Sequence, residues 1–481
     1  MKCLYLTQEL APYFVEGGLG QTAMALPRAL ERDLGIAHDL VVPYYPRLVG
    51  RHGLETETVW RTPSLPVGPV DVPASVERLL GRAGSGDVFL VRADHWYDRP
   101  GLYRDEDYVE FADATARAAF FGACVARWLT DSGRRYDVVH GNDWQSGPAL
   151  AHLRTLRGTD RTPVLLANVH SAAYTGRVEH AGIGELALPA EWRKALADHG
   201  DEASLLLLGL LAADTATTGS PTYARELVAQ LTGTAIGAAL DRLPLTGIVA
   251  GIDTHLWQPA ATGRVTSPYT PDTVARGKQA NKLLLQRRLG LKEDPDAALF
   301  GVCTRVVPEK GIDLLVEAAG EPAANGSLQL VVVGQGDASL VGALAALARA
   351  LPSAVAHVPR FDQDSAWLTY AGSDFTVMPS RVEPCGLNQL IAMTYGCLPV
   401  VSAVGGLCDT VTDITRDPAH GTGFILPELT ADALRDTMLR AARWLAGPRD
   451  QVAAGRRRAM AQDWSWSRAA RDTATLYARR P

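Results

Sequence analysis

Arg305 and Lys310 are separated by four residues in Thr304-Arg305-Val306-Val307-Pro308-Glu309-Lys310-Gly311. They follow the strand-like run Leu299–Thr304 and precede a helical pattern. Two cations beside a helix start can neutralise a pyrophosphate, each charge-assisted bond contributing about 1.5–3 kcal/mol. Solvated surface charge is the plainer explanation for any such pair. Lysine is scarce, however: only six of the 47 basic residues are Lys, which moves Lys310 towards function. A carboxylate, Glu383, lies in Pro379-Ser380-Arg381-Val382-Glu383-Pro384-Cys385-Gly386-Leu387, between another strand and helix. Ahead of a helix N-terminus its charge is favoured, and it can accept from sugar hydroxyls; a simple helix-start acid reads the same way.

Three further segments bear on chemistry. In Glu16-Gly17-Gly18-Leu19-Gly20 the glycines allow close backbone approach to a phosphate at a helix start, although a tight strand-to-helix turn needs them as much. His140-Gly141-Asn142-Asp143-Trp144-Gln145 and Val169-His170-Ser171-Ala172-Ala173-Tyr174 each follow a buried-looking strand. His140 reads as a structural hydrogen-bonder. Asp143 and His170 gain interest only jointly with the other segments.

The elements that must position these residues alternate. Strand-like Lys2–Thr7, Asp137–Val139, Val164–Val169, Leu299–Thr304, Leu328–Val333 and Phe375–Met378 are interleaved with helical patterns at Leu19–Leu34, Ile312–Ala319, Leu340–Leu351 and Leu387–Tyr395. That alternation predicts parallel sheets covered on both faces. Two such series, separated by the Pro/Gly/Thr-rich stretch Gln258–Pro271, predict two Rossmann-like domains, with ligands in the cleft between them at the carboxyl ends of the strands. The 481 residues, 47% of them hydrophobic, suffice for two large cores. A net charge of −6 argues against nucleic-acid or acidic-membrane partners. The N-terminus offers no export signal and no apolar run is long enough to span a bilayer. Cys3, Cys124, Cys303, Cys385, Cys397 and Cys408 lie far apart, as expected of reduced thiols in a cytoplasmic enzyme with neither a disulfide framework nor a zinc site.

In their joint order these segments resemble the glycogen and starch synthases, retaining glycosyltransferases of the GT-B fold. The resemblance runs through Glu9 with Gly17-Gly18-Leu19, Asp143-Trp144-Gln145, His170 with Tyr174 and Gly176, and Ser220-Pro221-Thr222-Tyr223-Ala224. It continues through Gly251-Ile252-Asp253-Thr254, Arg305 with Lys310-Gly311, Glu383-Pro384-Cys385-Gly386-Leu387, and Gly405-Gly406-Leu407. It implies an acceptor-side domain over 1–250, a donor domain over 251–463, and a final segment 464–481 crossing back to the first domain. It further implies a nucleotide-diphosphate donor, an oligosaccharide acceptor, and no metal or cofactor. Arg305 and Lys310 would hold the diphosphate, with Gly17, Gly18, Gly405 and Gly406 close by. Glu383, with Cys385, Gly386 and Leu387, would bind the transferred ring, and His170 would line the reacting centre. Glu9, Asp143, Trp144, Gln145 and Tyr174 would face the acceptor.

Departures from the family pattern sit at the sugar-facing positions. Val15 replaces the lysine of Lys-x-Gly-Gly-Leu, a loss of about 1.5–3 kcal/mol, or roughly 10–100-fold, if that ammonium contacts the transition state. Gln21 replaces an acid, Ser171 and Ala250 replace asparagines, and Ser402 opens Ser402-Ala403-Val404 where Arg-Arg-Thr is usual. Since the diphosphate pair is kept, the pattern points to a changed ring or acceptor. One such version resembles the pseudo-glycosyltransferases of aminocyclitol biosynthesis, in which an unsaturated cyclitol replaces the sugar and an amine can be the acceptor of an acarbose-like product. Two alternatives stand beside it: an ordinary glycogen synthase using ADP- or UDP-glucose, and a catalytically silent nucleotide-sugar-binding regulator.

Overall fold

The structure is a computed structural model that describes residues 1–16, 18–67, 70–81, 86–105, 109–156, 163–260, 263, 265–360 and 362–478. The chain divides into two compact units, Met1–Ile248 with Trp466–Pro481, and Val249–Ser465.

Among the described residues the first unit carries a nine-stranded sheet. Its strands are β1 (Lys2–Leu6), β2 (Ala37–Pro43), β3 (Thr56–Val67), β4 (Val70–Leu79), β5 (Val88–Arg92), β6 (Val138–Asn142), β7 (Val164–Val169), β8 (Thr215–Thr218) and β9 (Leu245–Gly247). The order is β3-β4-β5-β2-β1-β6-β7-β8-β9, antiparallel only where β4 pairs with β3 and β5. In register, Leu4 of β1 lies opposite Asp39 of β2 and Val139 of β6. The strands β6 and β7 are buried along their whole length, as helices on both faces of a parallel sheet demand.

The second unit repeats the plan with β10 (Leu299–Cys303), β11 (Gln329–Val333), β12 (Val355–Val358), β13 (Phe375–Met378), β14 (Leu398–Val401) and β15 (Phe424–Ile425). They are parallel throughout, in the order β12-β11-β10-β13-β14-β15. Strand order reverses between β10 and β13, and in the first sheet between β1 and β6. Such switch points open a crevice at the carboxyl ends of the two strands. Phe300 and Phe375 stack at 4.9 Å across the β10–β13 pair and close its core below that end.

The Gln258–Pro271 stretch is not the separator that its composition predicts. Val265 and Tyr269 are buried in the core of the second unit, and the Tyr269 hydroxyl donates to the Tyr395 carbonyl at 2.8 Å. Its prolines and glycine shape a loop packed on one unit.

Scarcity of lysine also proves a weaker signal than it looked. Lys278 is buried with its ammonium donating to the carbonyls of Tyr370, Ala371 and Tyr395. Lys282 is buried against Asp374 at 2.6 Å, an aspartate that also pairs with Arg456 at 2.6 Å. Two of the six lysines therefore serve the scaffold.

The last helix, Trp466–Tyr477, belongs to the first unit and packs against the helix Gly18–Leu34. Its buried Tyr477 hydroxyl lies 2.8 Å from His140 Nδ1 and accepts from the Cys3 thiol at 3.5 Å. All six cysteines are free thiols. Among the described residues no helix is long and apolar enough to cross a membrane.

Candidate active site

In the second unit, the turn after β10 carries Arg305, then a single 3-10 turn, Pro308–Lys310. Gly311 follows at φ 65°, and a Cβ there would run into the Pro379 carbonyl. Glycine thus lets this turn lie directly against the end of β13. As a result Lys310 Nζ reaches Glu383 Oε2 at 2.7 Å. The buried Ser380 hydroxyl donates to the same oxygen at 2.9 Å, and Ser402 Oγ in turn donates to the Ser380 carbonyl at 2.6 Å. Glu383 is therefore held by an ammonium and a hydroxyl. The helix start predicted to favour it begins only at Asn388 and supplies neither partner. Arg305 is exposed, with no ion pair among the described residues, and so is available to an anion.

The loop beyond Glu383 is clamped. Gly386 adopts φ 74°, with the Gln389 amide against it, and Gln389 Nε2 donates to the carbonyls of Cys385 and Gly386 at 2.9 and 3.1 Å. Gly406 donates its N–H to the Glu383 carbonyl, and a Cβ on Gly406 would strike the Cys385 carbonyl. Gly405 starts the short helix that follows β14, and Leu387 accepts the Ile391 N–H. Ala250 donates its N–H to Cys385 Sγ at 3.3 Å, and burial pushes that thiol up to about 12. A small crevice lined by Thr304, Lys310, Ser380 and Asn388 opens at the β10–β13 switch.

In the first unit, Glu9 follows β1 and is buried. Its Oε2 accepts the N–H groups of Glu16 and Gly20 at 2.9 and 3.2 Å, and Oε1 accepts the Tyr103 hydroxyl at 3.0 Å. It thereby caps the helix Gly18–Leu34, whose start lies near Val15. A Cβ on Gly20 would sit 3.0 Å from both Glu9 Oε2 and a Val15 methyl. Val15 is 43% exposed, and Gln21 is exposed on the helix. Gly17 lies outside the described residues.

Asp143 follows β6 with φ 54°, unusual for a residue with a side chain. That conformation turns its carboxylate to the His170 N–H at 2.7 Å. Burial raises its pKa above the usual aspartate range, an effect opposed by His170 and the amides of His170 and Ser171. His170 Nε2 lies 3.0 Å from Asn168 Nδ2 and 3.1 Å from Asn142 Oδ1. Trp144 lies flat against Gly176, where a Cβ would meet the indole. Gln145 is buried, and its Oε1 has no partner among the described residues. Tyr174 is 44% exposed, with the Arg104 guanidinium 5.9 Å from its ring centroid. Ser171 Oγ accepts the Ala173 N–H.

The structure thus gathers Arg305, Lys310, Glu383, Cys385, Gly386, Ser402, Gly405 and Gly406 at the strand ends of the second unit. Glu9, Asp143 and His170 share the carboxyl ends of adjacent strands in the first. Sequence reasoning missed Ser380, Asn142 and Asn168, all inside the quoted segments or one residue away, because nothing in a lone hydroxyl or amide announces its partner. It also missed Arg381, which forks onto Asp313 at 2.8 and 2.6 Å and straps the Lys310 turn to the loop before Glu383.

Residues 2–242 match the family model described as starch synthase catalytic domain, and residues 286–453 that of glycosyl transferases group 1. A glycogen synthase of Glaesserella parasuis is 35% identical over 489 residues, covering 99% of each chain. The chain belongs to the glycogen/starch synthase family. Glycogen synthase 2 of Geobacter sulfurreducens is 37% identical, covering 99% of this chain and 98% of its own. The catalytic domain of starch synthase IV from Arabidopsis thaliana, bound to ADP and acarbose, superposes with a TM-score of 0.86 at 24% identity, covering 99% and 98% of the two chains. This family member is accordingly a GT-B glycosyltransferase, an enzyme that moves a glycosyl unit.

Proposed function

We propose that this glycogen/starch synthase family member extends an α-glucan or maltose-type oligosaccharide from ADP- or UDP-glucose, with retention at the transferred carbon. The observation that carries this reading is the Lys310–Glu383–Ser380 constellation at the switch point of the second sheet, with Arg305, which has no ion pair among the described residues, in the turn after β10. Arg305 and Lys310 take the diphosphate, and Glu383 accepts from ring hydroxyls. The bond from that carbon to the diphosphate breaks, a bond to the acceptor hydroxyl forms on the same face, and the acceptor's proton passes to the departing phosphate. Fixed cations at the leaving group and fixed acceptors at the ring suit such a charge-separated transition state. Glycogen synthases alignable over nearly the whole chain support this donor and acceptor, as does the ADP and acarbose held by the starch synthase of the same fold. These relatives speak for the ordinary synthase reading over a pseudo-sugar coupling or a silent regulator.

One observation favours a second reading. At position 15 the family's cation gives way to valine, so a donor with an altered ring, such as an unsaturated cyclitol, loses nothing there that glucose would need. A donor screen by mass spectrometry tests both. ADP-, UDP-, GDP- and dTDP-glucose and a nucleotide cyclitol are each paired with maltose, glycogen and an amino-sugar-capped maltose. Efficient glucan extension supports the first reading; coupling confined to the cyclitol replaces it with the second.

A further inference from the structure

We infer that Arg381, braced by Asp313, is a positioning residue that holds Lys310 against the Glu383 loop and so sets where its ammonium meets the leaving group. The inference rests on the diphosphate role proposed for Lys310. Arg381 grips the chain on both sides of that lysine. Ahead of it, the Arg381 N–H donates to the Glu309 carbonyl at 2.8 Å, and Nη1 donates to the Pro308 carbonyl. Beyond it, Nη1 and Nη2 donate to Asp313 Oδ1 and Oδ2 at 2.8 and 2.6 Å, in the first turn of the helix Ile312–Ala324. In its own loop, Arg381 lies between Ser380 and Glu383, whose 2.9 Å bond fixes the carboxylate that Lys310 meets.

The planar guanidinium serves a carboxylate and a carbonyl at once, which a lysine ammonium could not do with the same fixed geometry. Its fork holds the Asp313 carboxyl below the usual aspartate range, so the partner is charged at neutral pH. The Lys310–Glu383 pair cannot do this work during turnover, because an incoming diphosphate competes for the same ammonium. The Arg381–Asp313 fork uses neither group and keeps the turn in place with the donor bound. Both of its side chains are exposed, so the fork adds little to the stability of the fold. Its effect is on position, where an error of about 1 Å in a charge-stabilising group can cost about 100-fold in rate.

Arg381→Ala in the full chain should lower kcat at least about tenfold, with donor KM within about threefold. Its urea midpoint should stay within about 0.5 M of the wild type; a larger fall would mark a scaffold residue and overturn the inference. Unchanged kcat overturns it too, and leaves the transferase reading intact. In the Lys310→Ala background, Arg381→Ala should change kcat by less than about twofold, because its effect passes through the missing ammonium. A further tenfold loss there would mean that Arg381 acts elsewhere. Hydrogen exchange reads the strap without turnover. The Lys310 and Gly311 amides donate to the Val307 and Pro308 carbonyls, each at 3.0 Å, and should exchange at least about tenfold faster in Arg381→Ala. Equal exchange overturns the strap. If the wild type turns over no donor, the transferase reading fails, and the exchange rates still decide whether Arg381 holds the turn.

Discussion

Lys310 Nζ and Glu383 Oε2 lie 2.7 Å apart, although one residue comes from the turn after β10 and the other from the loop after β13. The pair spans the point where strand order reverses; on the proposed reading Lys310 is the cation for a leaving diphosphate and Glu383 the carboxylate for a ring. Lys310→Ala removes that cation and leaves Glu383 with the Ser380 hydroxyl alone. We expect kcat to fall about 100–1,000-fold with every donor, by the cost of deleting one preorganised charge-stabilising group. Initial rates on the preferred donor measure this, and a near-normal rate would remove the diphosphate assignment.

Val15→Lys separates the two readings of the donor. Val15 is 43% exposed beside the start of the helix Gly18–Leu34, so a longer side chain has room to extend. If glucose is the transferred ring, the added ammonium should raise its turnover by about tenfold, the lower end of one charge-assisted bond. Steady-state rates with ADP- and UDP-glucose report it. An unchanged or lower rate speaks for the altered ring.

Legibility in the sequence followed the range of each interaction. The alternation of apolar runs with helical periods is local, and it yielded two parallel-sheet Rossmann-like units; the GT-B class came from the resemblance carried by the ordered motifs. The site segments were legible because strand ends and glycines mark where a chain must turn, as at Gly311 and Gly386. What stayed hidden was pairing across sequence. Nothing near Glu383 says that Lys310, 73 residues away, completes it, and nothing near Asn168 reveals Asn142. Gln258–Pro271 misled because composition cannot tell a packed loop from a linker; the burial of Tyr269 decides that, and burial is tertiary.

Asp374 carries a buried charge in the scaffold of the second unit. It is buried between Lys282 and Arg456, each at 2.6 Å, and also accepts the Leu299 N–H at the start of β10. The two cations hold its carboxyl below the usual aspartate range against the opposing effect of burial, the largest single influence. Asp374→Ala strands two buried cations and should destabilise the second unit by about 3–5 kcal/mol. Urea unfolding followed by tryptophan fluorescence checks this; a loss under about 1 kcal/mol would mean that solvent reaches the cluster.

Acid should loosen the first unit through its buried histidines. Burial lowers the His38 pKa from 6.5 to about 4, and lowers that of His140 well below 6.5. Both rings have an Nε2 with no partner among the described residues, so an imidazolium there would bury an unpaired donor. The folded state therefore binds fewer protons than the unfolded state between pH 6.5 and about 4, and stability is retained above 6.5 and falls as pH drops through that window. By pH 5 His38 should have cost about 2 kcal/mol, with His140 acting in the same direction. His140 Nδ1 meets the Tyr477 hydroxyl at 2.8 Å, so the last helix should be among the first elements to detach. Urea midpoints measured from pH 7.5 to 5 for the wild type and His38→Gln isolate the effect from that of carboxylates. The variant's midpoint should fall less steeply than the wild type's over that window, and equal slopes would show that His38 is charged or solvated in the folded chain.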